Sequence, residues 1–292
     1  MRKAFTVLSL LLLVTGAFAQ VPIEHSPFNP SYISTEYFGP YAFPVPELLE
    51  GSICNDLHLE VSGDCVKGTA LGDRTSAITF KASIPLWTDR AALTIWGEMH
   101  EWYNDTAETR TYRRVSPEYP LKGEDAGNVY YSLDMLVLKE SATRPSIALR
   151  AATQSATGDK YEVARHYDAP GYFFDISSGK DFSLSRECRI RLSATAGFVC
   201  WQTDRGSQND AMMLGAKASF GSPIVTVSAE YGQYSGLEGK NAVNAGDCPK
   251  AFSAEASMHF GNISPFIKWQ KGINDWPFSL VRAGIAVDFD IL

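Results

Sequence analysis

The chain has 292 residues, a formal charge of -7 and 45% hydrophobic residues against 20% charged, with a slightly negative mean hydropathy of -0.12. The negative balance argues against nucleic acid as a partner, because phosphate contacts need a basic surface. Five cysteines without a close C-x-x-C pair argue against a structural zinc site, and no cofactor-binding motif is present.

Arg2 and Lys3 precede an apolar run from Leu8 to Val14, and Ala17-Phe18-Ala19 gives the small-x-small pattern before Gln20. Residues 1–19 therefore read as a cleaved export signal. Export permits disulfides, and Cys54 with Cys65 or Cys200 with Cys248 are the pairs to consider. No later stretch approaches 18 continuous apolar residues, so a membrane crossing would have to be made by strands closed into a barrel. Residues 20–52 carry Pro22, Pro27, Pro30, Pro40, Pro44 and Pro46 among many aromatics and little periodicity. They read as an extended segment, either a tail or a plug threading the barrel.

From residue 53 onward the chain alternates apolar and polar residues in segments of about ten, the length of a tilted strand crossing a bilayer. Strands are expected near 53–62, 75–86, 91–103, 128–138, 146–157, 171–182, 188–202, 211–220, 224–235, 251–260, 263–271 and 278–291. The alternation is clearest late in the chain. Phe252, Ala254, Ala256, Met258 and Phe260 share one face, opposite Ser253, Glu255, Ser257 and His259. Connections alternate long and short, beginning with a long one from Gly63 to Arg74, as in barrels with short periplasmic turns and longer outer loops. Tyr103, Trp201, Tyr231, Tyr234, Phe260, Trp269 and Phe278 stand where interfacial girdles would. The fold class is thus an all-β, antiparallel transmembrane barrel of about twelve strands over residues 53–292. A soluble periplasmic barrel holding an apolar ligand is the competing architecture, since alternation does not tell inside from outside.

The polar face places Lys81, Glu98, His100, Arg150, Asp175, Arg189, Arg191, Glu230 and Arg282 in the lumen. Both signs are present, so pairing across the interior would leave a narrow or closed lumen. Ser257 and His259, with Glu230 or Glu255 as orienting carboxylate, are weak candidates for a membrane-embedded lipid hydrolase; satisfied lumen polar groups are the simpler reading. His166 and Asp168 in one outer loop, and Asp204, Gln208, Asn209 and Asp210 in another, form a candidate rim cluster whose spacing fits no calcium loop. An exposed loop rich in polar and turn-forming residues is the preferred reading, and no metal is expected.

The export signal, the alternation, Tyr167-Asp168-Ala169-Pro170-Gly171-Tyr172-Phe173-Phe174-Asp175 and Trp201-Gln202-Thr203-Asp204 resemble uncharacterised outer-membrane barrel proteins of Gram-negative bacteria. The resemblance implies a membrane barrel and carries no catalytic residues. The expected function is a non-enzymatic narrow channel or surface-interaction barrel, in contact with outer-membrane lipid and with a small solute or surface partner. The sequence leaves the oligomeric state open.

Overall fold

A computed structural model describes residues 35–290, apart from 69–70, 88, 159, 168, 203–210 and 236–247. Thirteen strands form one antiparallel sheet: β1 (Leu57–Gly68), β2 (Arg74–Trp87), β3 (Ala91–Asn104), β4 (Lys122–Asp125), β5 (Val129–Leu138), β6 (Ser146–Gln154), β7 (Gly171–Ser183), β8 (Arg189–Trp201), β9 (Ala211–Gly221), β10 (Val225–Tyr234), β11 (Lys250–Met258), β12 (Ile263–Asn274) and β13 (Phe278–Phe289). Sequence neighbours pair throughout except β4 and β5, which both pair with β3, and β1 pairs with β13 from Leu57↔Phe289 to Gly68↔Phe278. The sheet is therefore closed. β4 and β5 lie end to end along β3, at Glu101–Asn104 and Ala91–Gly97 respectively, so the wall has twelve staves. A short helix, α1 (Ala107–Tyr112), N-capped by Thr106, sits in the loop after β3. Among the described residues no helix is long and apolar enough to cross a membrane.

The two faces of the wall decide which side meets lipid. Val61, Ile176, Met212 and Ile285 are 58, 48, 62 and 53% exposed, whereas Ser62, Asp64, Ser177 and Thr195 on the other face are buried. The outside is apolar and the inside polar, the inverse of a soluble barrel, and it matches a wall whose solvent is hydrocarbon. This excludes the enclosed apolar-ligand architecture.

Connections at one end include 105–121, 155–170, 202–210 and 235–249; at the other they are 88–90, 139–145, 184–188, 222–224 and 259–262. The long-loop end is called the outer mouth here, following the loop asymmetry of such barrels. Two outer connections are short, 69–73 and 275–277.

Four expectations need correction. The first strand runs from Leu57 to Gly68 rather than 53–62, so the loop expected from Gly63 to Arg74 shrinks to 69–73. Tyr103, Trp201, Tyr234 and Phe278 are not a lipid-facing girdle; they are buried and turn inward onto a plug of apolar residues. Phe260 and Trp269 do face outward. His100 faces outward too, because the β2–β3 register slips between Ile78↔His100 and Thr79↔Glu98; this bulge sends both Glu98 and Glu101 into the lumen. All five cysteines are free thiols.

Candidate functional site

Residues 35–56 cross the lumen from the outer mouth to the short-turn end as an irregular strap. Thr35 bonds the Asp275 carbonyl and Gly39 N–H donates to the Ala164 carbonyl (2.9 Å) at the mouth. Lower down, Tyr41 Oη donates to Asp64 Oδ2 (2.8 Å) and Tyr234 Oη to the Phe43 carbonyl (3.1 Å). Three wall donors then catch successive strap carbonyls. Arg150 Nη2 reaches Glu47 (2.8 Å), Thr195 Oγ1 reaches Leu49 (3.0 Å) and Arg191 Nε reaches Glu50 (3.0 Å). The strap has no ladder partner of its own, so these side chains satisfy backbone groups that would otherwise be buried unpaired.

The strap's two carboxylates anchor it by charge. Glu47 pairs with Lys268, and lies 3.8 Å from Lys81 and 3.7 Å from Arg282. Glu50 pairs with Lys217 at 2.5 Å and accepts a bond from Ser219 (3.3 Å). The wall also leaves room for the strap. A Cβ on Gly179 would lie 2.2 Å from the Glu50 carbonyl oxygen, and one on Gly215 would lie 2.4 Å from Leu48 Cδ1. Glycine is what lets the backbone pass this close.

Above Glu47 the strap becomes apolar and closes the mouth. Phe38, Tyr41 and Phe43 pack with Val163, Ala164 and Tyr167 of the loop 155–170 and with the inward rim aromatics Tyr103, Trp201, Tyr234 and Phe278. Phe38, Phe43 and Tyr167 meet with ring centroids 5.3–5.7 Å apart. Two cavities remain beside the strap. One of about 250 Å³ lies against Thr94, Glu98, Ser132, Asp134 and Arg150; the other, about 470 Å³, lies towards the short-turn end against Lys217, Glu230, Glu255, Ser257, His259 and Lys268.

An ion network fastens the loop 155–170 to the mouth. Arg165, fully buried, donates to Glu101 Oε1 (3.0 Å) and Oε2 (3.2 Å), to Asp73 Oδ2 (3.1 Å) and to Thr75 (2.7 Å), and its guanidinium covers the Tyr103 ring at 4.8 Å. Arg113, just past α1, adds a 2.7 Å bond to Asp73 and lies 3.5 Å from Asp105. Burial and then the Asp73 carboxylate push the Asp105 carboxyl up to about 6. For Asp73, burial acts to raise the pKa, but Arg165 and Arg113 outweigh it and hold the carboxyl below its usual range.

Most of the lumen charges expected from sequence are brought together with a partner across the wall or on the strap. Arg150 bonds Asp175 at 2.7 Å, Arg282 grips Asp64 with two bonds of 2.8 and 2.9 Å, and Arg191 meets Asp181 and Glu140 at 2.8 and 3.1 Å. Lys81 pairs with Glu47, and Glu230 lies 3.8 Å from Lys217. Glu98 sits in the smaller cavity, and Arg189 is exposed at the short-turn rim, 3.9 Å from Asp181. His259 uses both ring nitrogens, Nε2 with Thr226 Oγ1 (2.9 Å) and Nδ1 with Ser264 Oγ (3.0 Å). That leaves no nitrogen for Ser257, and Glu255 lines the larger cavity without orienting the ring. His166 is not on an exposed rim: it is fully buried, beside Glu101 and Asp125. Asp168, Asp204, Gln208, Asn209 and Asp210 lie outside the described residues.

The barrel has solved counterparts. An outer-membrane channel from Pseudomonas putida F1 superposes with a TM-score of 0.60 at 9% identity, covering 83% of this chain and all of the channel. The KdgM porin (9% identity, 80% of this chain, 99% of that one) and the NanC porin (11%, 80% and 100%) each reach a TM-score of 0.48. At such identities the likeness is one of fold, that of outer-membrane barrels. No family model and no curated protein matches the sequence.

Arg165, Asp64, Glu101 and Lys268 were not anticipated as site residues. Asp64 was hidden in a presumed loop and Glu101 behind the bulge; Lys268 lies on the polar face of its strand beside Ser264 and was legible. Arg165 carries no periodic signal at all, since its partners are 64 to 92 residues away.

Proposed function

We propose that this protein is a non-enzymatic outer-membrane channel for small polar solutes, closed at rest by its own residues 35–56. The observation that carries the reading is the fit between strap and wall: Glu47 and Glu50 seat on Lys268 and Lys217, and the strap backbone runs past Gly179 and Gly215. Residues 1–19 act as the export signal, and the chain's partners are outer-membrane lipid and a solute that takes the strap's place along the polar wall. A strap held mainly by hydrogen bonds and ion pairs, in a lumen that water can enter, can be released by exchanging those bonds for water. The satisfied imidazole of His259 favours this reading over lipid hydrolysis.

The test is conductance in planar bilayers. Wild-type protein is expected to be nearly silent, and deletion of residues 35–52 or Gly179→Leu, which collides with the Glu50 carbonyl, is expected to open steady single-channel currents. A strap-deleted barrel that shows the heat-modifiable gel shift of a folded barrel yet carries no current would refute the channel and favour a surface-interaction barrel.

A further inference from the structure

Glu101, Asp125 and His166 come from three parts of the chain, the end of β3, the end of β4 and the loop 155–170, yet one ligand atom of each lies within 4.8 Å of the others. All three are buried. His166 Nε2 is 3.6 Å from Glu101 Oε1 and 3.9 Å from Asp125 Oδ2. At these separations neither ring nitrogen forms a hydrogen bond, although the side chain is fully shielded from solvent. A buried imidazole with both nitrogens idle is uncommon and calls for a ligand. Glu98 Oε2, on the same wall, is also buried without a hydrogen-bond donor.

Charge points the same way. Glu98, Glu101, Asp125, Asp73 and Asp105 crowd this end of the lumen, and the buried cations among them are Arg113 and Arg165. Acidic side chains thus outnumber the guanidinium groups set among them, an arrangement that favours a bound cation. Arg165 does not block the position, because a carboxylate oxygen has two lone pairs: Glu101 Oε1 can accept from Arg165 and still face a metal, with Arg165 orienting it from outside the coordination sphere.

We propose that Glu101, Asp125 and His166 form a binding site for a divalent transition metal of the Zn²⁺ class. One imidazole nitrogen and two carboxylate oxygens suit Zn²⁺, whereas Ca²⁺ takes six to eight oxygen ligands. Ligand atoms about 2.1 Å from a tetrahedral Zn²⁺ stand roughly 3.4 Å apart. The His166–Glu101 edge is nearly there already, and the remaining adjustment is within the reach of side-chain rotation. A Cβ on Gly158 would lie 2.6 Å from the His166 ring, so the backbone there packs directly on the imidazole and holds it in place. Bound metal would pin the loop 155–170 to two neighbouring strands at the mouth. The site stands whether or not the lumen conducts.

The experiment uses the full chain refolded in detergent and titrated with Co²⁺ as a spectroscopic probe, then with Zn²⁺ and Ca²⁺. The expected result is one Co²⁺ per chain with visible bands of nitrogen and oxygen ligation, displaced by Zn²⁺ and not by an equal concentration of Ca²⁺. His166→Asn and Asp125→Asn are each expected to weaken Co²⁺ binding by well over about 100-fold, beyond the 10–100-fold typical of losing only an outer-shell partner. Folding of each variant is checked by the heat-modifiable gel shift, and if His166→Asn does not fold, the near-isosteric Asp125→Asn decides. A thiolate charge-transfer band, which would place the metal on the free cysteines, overturns the assignment. So do displacement by Ca²⁺, binding unchanged in a folded Asp125→Asn, or no Co²⁺ bound by the wild type.

Discussion

Replacing Arg165 with Met tests whether the mouth is held by charge pairing or by the apolar plug alone. The variant keeps most of the side chain's apolar bulk and removes the guanidinium, which in the wild type is fully buried and donates to Glu101, Asp73 and Thr75 over 2.7–3.2 Å. Arg113 would be left to face Asp73, Asp105 and Glu101 alone. Removing one partner of a buried pair strands the other's charge, which costs about 3–5 kcal/mol. The lower figure is already more than a 100-fold change in the ratio of folded to unfolded protein. The assay is urea unfolding of detergent-refolded barrel at several pH values, read as loss of the heat-modifiable band. The pH dependence is the sharper criterion. Asp73 has its pKa held down by Arg165 and Arg113 against the effect of burial. Such a group contributes stability above its unfolded pKa of about 3.9 and loses it as pH falls through the folded value. The variant lacks Arg165's share of that contribution, so its deficit should be full above about pH 5 and narrow below about pH 4. A deficit under about 1 kcal/mol, or one that stays constant from pH 8 to 3, would refute the reasoning, since it would mean that Arg165 acts by packing alone.

Asp105, whose carboxyl is pushed up to about 6 by burial and then by Asp73, contributes stability that is complete below the unfolded pKa and lost as pH rises past 6. Asp105→Asn should therefore stabilise the barrel at pH 8 by on the order of 1–3 kcal/mol and change little at pH 4; destabilisation at pH 8 in the same urea assay would contradict this. On the outer face, Ile176→Arg should cost roughly 2–4 kcal/mol in lipid vesicles, because Ile176 lies mid-strand in β7 where the hydrocarbon is driest. An unchanged urea midpoint there would place that face in water.

Two-residue alternation located nearly every stave, because side chains on a pleated wall must choose between lipid and lumen. It failed where local sequence imitates a turn. Ser62-Gly63-Asp64 looks like a loop start, yet Gly63 faces out and Asp64 faces in, where it binds Tyr41 and Arg282. Ladder partners on both sides, Ile78 of β2 and Ala283 of β13 for Gly63, make that stretch a strand. The bulge after Glu98 reversed the parity of β3, so His100 was read inward and Glu101 outward. Lumen charges were legible as a class, but their pairing was not, since the strap carboxylates Glu47 and Glu50 that complete it lie in a segment with no periodicity. Arg165 illustrates the same limit: a lone arginine in an aromatic loop gives no sign that it will be enclosed by carboxylates from two other connections and a strand.

The seam between β1 and β13 joins the first stave of the wall to the last, and the strap continues directly into β1. The polypeptide thus encircles its own leading segment. Phe38, Tyr41 and Phe43 pack inside that ring against wall residues from both its early and its late strands. A plug built this way is tethered covalently to the first stave at the short-turn end, so whatever loosens its contacts with the wall leaves it attached to the barrel it fills.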